Sequence, residues 1–525
     1  LIEQRVVERA TRLTAEQVEE ACSFARAERI LGREYHGRFL IELLQNAADA
    51  WGATRTGTER TDVRIVLSSA PALLVANKGT TFPASAVVKS LGHIGRSTKS
   101  PGEAIGHKGI GFKSVLELTL CPELYSGLSE QQPTVAVRFD PRAALDVIRA
   151  NSPDWDVLVA EVDDIEDPLA AVPILRYPIW VDELPADVAE LAADGFDTLI
   201  RLPFNDDLRP DPLLGLDEWL DTVRAGFLDL TDQMLVLLGM FERVEIDDRP
   251  ADAHALIEPR WEDEIVIESA TTREFVCVER NGEPTSRWEL YRRTLNDKGD
   301  LSGEIAVGVR VGTDSGQVLA GLPSTPSTPF HLFFPTRIGS GLPFLLHGYF
   351  EVDAARTGFY EGSAAQNEAI LVALAELVAI AIADIAGRQP SALTPLPDLL
   401  GEGITPENPR ALHFRDLALA KLDHIAWVPV ELEGGGSQVA RPLDLLVDED
   451  IGLVERIVTA FSPAYVHERT GWKVPARGIG SAGHRVLAVA TARQGHLGSA
   501  RAAASAWRER PLARGHGGRG VHGAA

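Results

Sequence analysis

The stretch Glu42-Leu43-Leu44-Gln45-Asn46-Ala47-Ala48-Asp49-Ala50 decides how this chain is read. Residues i and i+4 share a face of an α-helix, so Glu42 and Asn46 stack on one side and Asp49 stays close to it. Leu43, Leu44, Ala47 and Ala50 leave an apolar back that can pack on a sheet. A carboxylate one turn from an amide oxygen suits a metal–nucleotide site. Asn supplies a neutral oxygen to Mg2+, and Glu polarises a water. Standing alone, the same stripe fits a solvated helix face equally well.

Two segments downstream change that balance. Asn77-Lys78-Gly79-Thr80-Thr81-Phe82 follows a β-rich run directly; alone it reads as an Asn-Gly-type turn. Gly106-His107-Lys108-Gly109-Ile110-Gly111-Phe112-Lys113-Ser114 places three glycines in six residues before a helical pattern. Such a loop lets backbone N–H groups approach an anion beside a helix N-terminus. It is neither a P-loop, because Phe112 follows Gly111 where Lys is required, nor a GxGxxG turn.

Around this core the chain reads as mixed α/β. Residues 1–30 have helical spacing, with Thr14 and Gln17 placed as a capping box. Residues 61–68, 72–77, 134–140 and 197–204 read as strands, and 84–91 as a short helix. A single amphipathic helix is expected over 215–243. A β-rich stretch follows, in which Asn281-Gly282 marks a hairpin turn. Residues 364–387 read as an Ala/Leu/Ile-rich helix, and the Pro-rich stretch from Pro390 as a linker. The division expected is 1–210, 211–390, a linker and partial third unit at 391–476, and a low-complexity tail at 477–525 without fixed structure.

Composition bounds the function. Of 525 residues, 51 are Lys or Arg and 76 are Asp or Glu, a net charge of −25. The tail from Arg477 holds eight arginines and one acidic residue, Glu509, so the first 476 residues carry −32. Direct nucleic-acid binding by so acidic a body is not expected. Cys22, Cys121 and Cys277 lie too far apart for a disulfide framework, which fits a reducing cytoplasm. No secretory signal and no uncharged apolar run of membrane length is visible, so a cytoplasmic protein with no membrane partner is expected.

The order of the three segments resembles the nucleotide site of the GHKL ATPases, the superfamily of gyrase, the ninety-kilodalton heat-shock chaperone, histidine kinases and MutL. ELLQNAADA, a strand ending in NKG, LGHIGRSTKS and IGHKGIGFKSV are most similar to the sacsin-like and NO VEIN-like branch. The match runs from about Tyr35 to Thr119, with weaker echoes at 195–204 and at 342–359. The resemblance implies an α/β sandwich as the N-terminal domain, followed by a second α+β domain and a partial C-terminal unit. It also implies ATP and Mg2+ as ligands.

Carried over by position, Glu42 falls at the general base that activates water, and Asn46 at the Mg2+ ligand. Asp49 supports the pocket, and Asn77 stands where most of the superfamily has an adenine-binding Asp. Gly79 keeps the turn. Gly106, Gly109 and Gly111, with Phe112, match the phosphate loop. Residues 92–106 match a mobile lid, with Ser97 and Lys99 in reach of phosphate. Thr198 matches a Thr that contacts adenine. Arg356, preferred over Arg337, is the candidate to reach the γ-phosphate from the second domain. Lys78 and Thr81 depart from the pattern. For Lys78 the sequence offers no reason, and Thr81 puts the local backbone in question.

The implied activity is slow hydrolysis of ATP to ADP and phosphate, used as a conformational switch by a sacsin-like chaperone acting on an unknown protein client. A nucleotide-dependent dimer is compatible with it. Two rival readings are an ATPase component of a DNA-associated restriction or phage-defence system, and a non-hydrolysing nucleotide-gated scaffold.

Overall fold

The computed structural model describes residues 2–34, 37–54, 57, 59–87, 91, 111–128, 133–162, 165, 167–211, 213–262, 264–268, 270–296, 302–311, 327–353, 356–393, 395–401, 405–431, 437–442, 445–447, 472–473 and 488–491. The chain opens with α1 (Ile2–Ala10) and α2 (Ala15–Glu34), separated by a turn in which Arg12 has a φ of 51°. The expected capping box forms. The Thr14 amide donates to Gln17 Oε1 at 3.0 Å, and the Gln17 amide to Thr14 Oγ1 at 3.3 Å. Helix α3 (Phe39–Gly52) carries the deciding stretch.

Strands β1 (Thr61–Ser68) and β2 (Ala72–Asn77) form a hairpin, followed by the one-turn α4 (Ala84–Ala86). Gly111–Glu117 is a 3-10 helix where an α-helix start was expected. Then come β3 (Glu123–Ser126), β4 (Val135–Arg138), α5 (Pro141–Asn151), α6 (Trp155–Ala160), β5 (Ile179–Trp180), α7 (Ala186–Ala193) and β6 (Thr198–Pro203). The order across this half is β1-β2-β6-β3-β4-β5, antiparallel throughout.

The helix expected over 215–243 is two helices, α8 (Leu216–Leu228) and α9 (Asp232–Leu238), and its last residues begin strand β7 (Phe241–Asp248). Tertiary bonds override the periodicity. The Asp232 carboxylate accepts from Arg280, Thr285 Oγ1 and Ser286 Oγ, and Arg280 donates to the Leu230 carbonyl at 2.6 Å. Gly239, at a φ of 62°, ends α9.

Strand β7 pairs parallel with β1, Val63 opposite Val244, and antiparallel with β8 (Ala253–Trp261). The sheet continues through β10 (Thr271–Arg280), flanked by the short β9 (Ile265–Glu268), to β11 (Glu283–Asn296) and β12 (Ser302–Val311). It ends with β13 (Pro329–Leu332), β14 (Phe334–Gly339) and β15 (Leu345–His347). Asn281 and Gly282, at φ 52° and 82°, make the expected β10–β11 turn. Among the described residues this is one sheet of 15 strands. No break in it falls at residue 210, where a domain boundary was expected, because β7 joins the two halves edge to edge.

Helix α10 (Ala364–Arg388) covers β11 and β12. By length and composition it could cross a membrane, but 56% of its most apolar stretch is buried inside this fold. Its acidic side chains are paired. Asp384 bonds Arg273 at 2.6 Å and the Tyr291 hydroxyl at 2.9 Å, and Arg388 reaches the fully buried Glu289. The stretch read as a linker packs into the same core through Leu393, Leu396 and Leu400, the latter two on α11 (Leu396–Gly401). Helix α12 (Pro409–Leu422) adds Phe414 and Ala418, and the β16 (Val428–Glu431) and β17 (Ser437–Ala440) hairpin adds Val428. The third unit expected from residue 391 is therefore, up to this hairpin, part of the second core. Strands β18 (Leu445–Val447), β19 (Trp472–Lys473) and β20 (Ala488–Thr491) form a small separate sheet, so the tail expected to lack structure contributes one described strand.

Candidate functional site

The two faces of the first half-sheet can be told apart by parity. Leu73, Val75, Leu124, Ile200 and Leu202 share a core with Phe39, Leu40, Leu43, Leu44 and Ala47 of α3. Leu74, Ala76, Tyr125 and Leu199 share another with Val188 and Leu191 of α7. Side chains two residues apart on a strand lie on the same face. Asn77, Ser126 and Thr198 therefore face the α3 layer, each at a strand end. They are also in register: Asn77 opposes Thr198, and Thr198 opposes Ser126.

The result is a polar row on an otherwise apolar face. Ser126 Oγ and Thr198 Oγ1 are 2.6 Å apart, and Ser126 Oγ accepts from the Phe82 amide at 2.7 Å. Asn77 Nδ2 donates to the Lys78 carbonyl at 3.1 Å, which leaves Oδ1 directed away from that carbonyl. All three residues are buried. Asn77 and Thr198 of this row were candidates from the sequence, and Ser126 was not. Its place in the row depends on the pairing of β3 with β6, residues 72 apart at this contact.

The loop after β2 is seated on the C-terminal end of α3. The Thr80 amide donates to the Ala50 carbonyl at 2.9 Å. Gly79, at a φ of +125°, lies so close that a methyl there would stand 2.6 Å from Ala50 C and O. Its amide donates to Asp197 Oδ2 at 3.3 Å. Only glycine fits this contact. Lys78 Nζ pairs with Asp62 Oδ2 at 3.0 Å and lies 5.5 Å over the Phe196 ring. Thr81 is not among the residues with positive φ, so the backbone there does not demand a glycine.

On α3 itself Glu42 is buried in the first turn, while Asn46 and Asp49 are half-buried, in keeping with one stripe at the edge of the apolar face. Burial pushes the Tyr349 phenol up, and the charges of Glu304 and Asp49 add to the shift.

The remaining predicted residues divide into three groups. Gly111 opens the 3-10 helix, and the ring of Phe112 packs 6.4 Å from that of Phe139 rather than standing free. Lys113 is buried against Glu28 of α2, whose carboxylate also accepts from the Ile174 and Leu175 amides. Burial raises Glu28 to about 7 and lowers Lys113. Ser97, Lys99, Gly106 and Gly109 lie outside the described residues. Arg356 sits in a turn at a φ of 57°. Its Nη1 donates to the Leu332 carbonyl at 3.4 Å, and its guanidinium lies 5.8 Å from the Phe334 ring centroid. Those partners belong to the β13–β14 hairpin and not to α3 or the polar row. The Arg337 amide donates to the Arg356 carbonyl at 2.8 Å.

Among the described residues no group of three or more His, Cys, Asp or Glu could hold a metal ion by itself. His331 and His347 are buried, and burial lowers them to about 4 and about 3, so both are neutral core residues. No protein-family model matches the chain, and no curated protein matches it.

Proposed function

We propose that this chain binds ATP with Mg2+ between α3 and the strand ends bearing Asn77, Thr198 and Ser126. Slow hydrolysis there would switch the conformation of the molecule for a protein partner. The observation that carries this reading is the polar row. Three buried hydrogen-bonding side chains interrupt an apolar sheet face beside the helix that holds Glu42 and Asn46. A planar, polar-edged ring stacked against an apolar floor is the ligand such a surface suits.

In this reading Asn77 and Thr198 recognise the edge of the base. Asn46 gives a neutral oxygen to Mg2+. Glu42 takes a proton from the attacking water. Gly79 holds the base-side loop on α3, so the two halves of the site keep one spacing. The switch would use the continuous sheet, which joins this site to the second half of the fold. Calorimetric titration with Mg-ATP tests the binding step. Saturable binding that is lost in Asn77→Leu, with the far-UV spectrum unchanged, is expected. No heat from wild-type protein at millimolar nucleotide would overturn the proposal.

A further inference from the structure

The base-recognition row holds groups that can each reverse their hydrogen-bonding sense. Asn77 carries an acceptor and a donor on one amide, and rotation about its last torsion exchanges them. Ser126 Oγ and Thr198 Oγ1 are 2.6 Å apart, and either hydroxyl can be the donor. When Ser126 donates to Thr198, the Thr198 proton is free for a ligand. When Thr198 donates to Ser126, Thr198 presents a lone pair instead.

Resting on the nucleotide reading above, we infer that the site accepts 6-oxopurine as well as 6-aminopurine nucleotides, with inosine triphosphate as the simplest case. The two bases are opposites at this edge. Adenine offers an amino donor at C6 and an acceptor at N1; hypoxanthine offers an oxygen acceptor at C6 and an N1–H donor. Asn77 Oδ1 with a donating Thr198 fits the first. Asn77 Nδ2 with an accepting Thr198 fits the second. A carboxylate at position 77 has no donor and would fit only the first.

The two modes differ in strength. As the side chain stands, Nδ2 donates to the Lys78 carbonyl at 3.1 Å, and turning the amide over gives up that bond. In the second mode the Ser126 proton also loses Thr198 as its acceptor. Ser126 already accepts from the Phe82 amide and is fully buried, so solvent does not replace the partner. Two losses, each on the scale of one net hydrogen bond, make the site prefer ATP by about 30-fold. A carboxylate facing the C6 oxygen would raise the preference to at least about 300-fold, because a buried like-polarity contact replaces a hydrogen bond.

The experiment is a pair of equilibrium titrations, Mg-ATP and Mg-ITP, on the full chain, with Asn77→Asp and Ser126→Ala alongside. The far-UV spectrum and thermal unfolding midpoint of each variant check its folding. Wild-type affinities within about 30-fold of one another are expected, with Asn77→Asp raising the ATP-to-ITP preference to at least about 300-fold. Ser126→Ala should change the ATP-to-ITP ratio by less than about 5-fold, because it removes the acceptor of Thr198 in the second mode together with the stranded Ser126 proton; the wild-type ratio tests the inference even if Asn77→Asp does not fold. A wild-type ratio above about 100 with ATP bound normally overturns this inference and leaves the ATP reading standing. Failure of wild type to bind either nucleotide overturns both.

Discussion

Replacing Gly79 by Ala is the sharpest test of how the site is assembled. The methyl would meet backbone atoms of α3, Ala50 C and O at 2.6 Å and Trp51 N at 2.8 Å, so neither side can yield by rotating a side chain. At a φ of +125° an alanine also carries backbone strain of about 1–2 kcal/mol. Overpacking in a closed contact adds about 1–3 kcal/mol. Together these give a cost near 3 kcal/mol, relieved most cheaply by lifting the loop off α3 and breaking the bond from the Thr80 amide to Ala50. Amide exchange at Thr80 then speeds up on the order of 100-fold, since about 1.4 kcal/mol is a factor of ten. Gly282→Ala is the control. It has a φ of +82° but nothing within 4 Å of the added methyl, so it bears the strain alone. Hydrogen–deuterium exchange by NMR or mass spectrometry reads both. Less than a 5-fold change at Thr80, or equal effects of the two variants on their own turns, would refute the close-approach argument.

Lys78→Ala should cost less than about 1 kcal/mol and leave nucleotide affinity unchanged, because its ion pair with Asp62 is about a third exposed on both sides; a tenfold loss of affinity would give Lys78 a role at the ligand. Burial raises the Glu28 carboxyl to about 7, above its unfolded value, so its contribution is fully present below about pH 4.5 and is lost as pH rises through 7. Relative to Glu28→Gln, wild type should lose roughly 3 kcal/mol across that window, and a flat difference in denaturant stability would refute the assignment. His331 and His347, lowered by burial, act in the opposite sense: their contribution is present above about 6.5 and is lost as pH falls toward 4 and 3. Asp384→Ala strips the buried Arg273 of its 2.6 Å partner and should cost about 3–5 kcal/mol in urea titration; a loss below 1 kcal/mol would mean that α10 is not pinned through this pair.

What could be read in advance was local. The Thr14–Gln17 capping box and the Asn281–Gly282 turn each depend on residues within a few positions, and both form as the sequence indicates. The paired stripe of Glu42 and Asn46 follows from helical period alone. What could not be read depends on distant partners. Ser126 joins the polar row only because β3 lies beside β6. The helix expected over 215–243 stops at Leu228 because Asp232 is claimed by Arg280, Thr285 and Ser286. The Pro-rich stretch after Pro390 looked like a linker by composition, yet Leu393, Leu396 and Leu400 fill a core that other elements build. Phe112 sits in a glycine-rich motif, and its environment is set by Phe139 from another part of the chain.

The measurement that bears most directly on the central claim is phosphate release from Mg-ATP under single-turnover conditions, with protein in excess, for wild type and Glu42→Ala. The account predicts slow release from wild type and none from Glu42→Ala, with both proteins binding ATP. Release at the same rate from both would contradict the placement of the general base on α3. No release from wild type despite bound ATP would contradict hydrolysis itself.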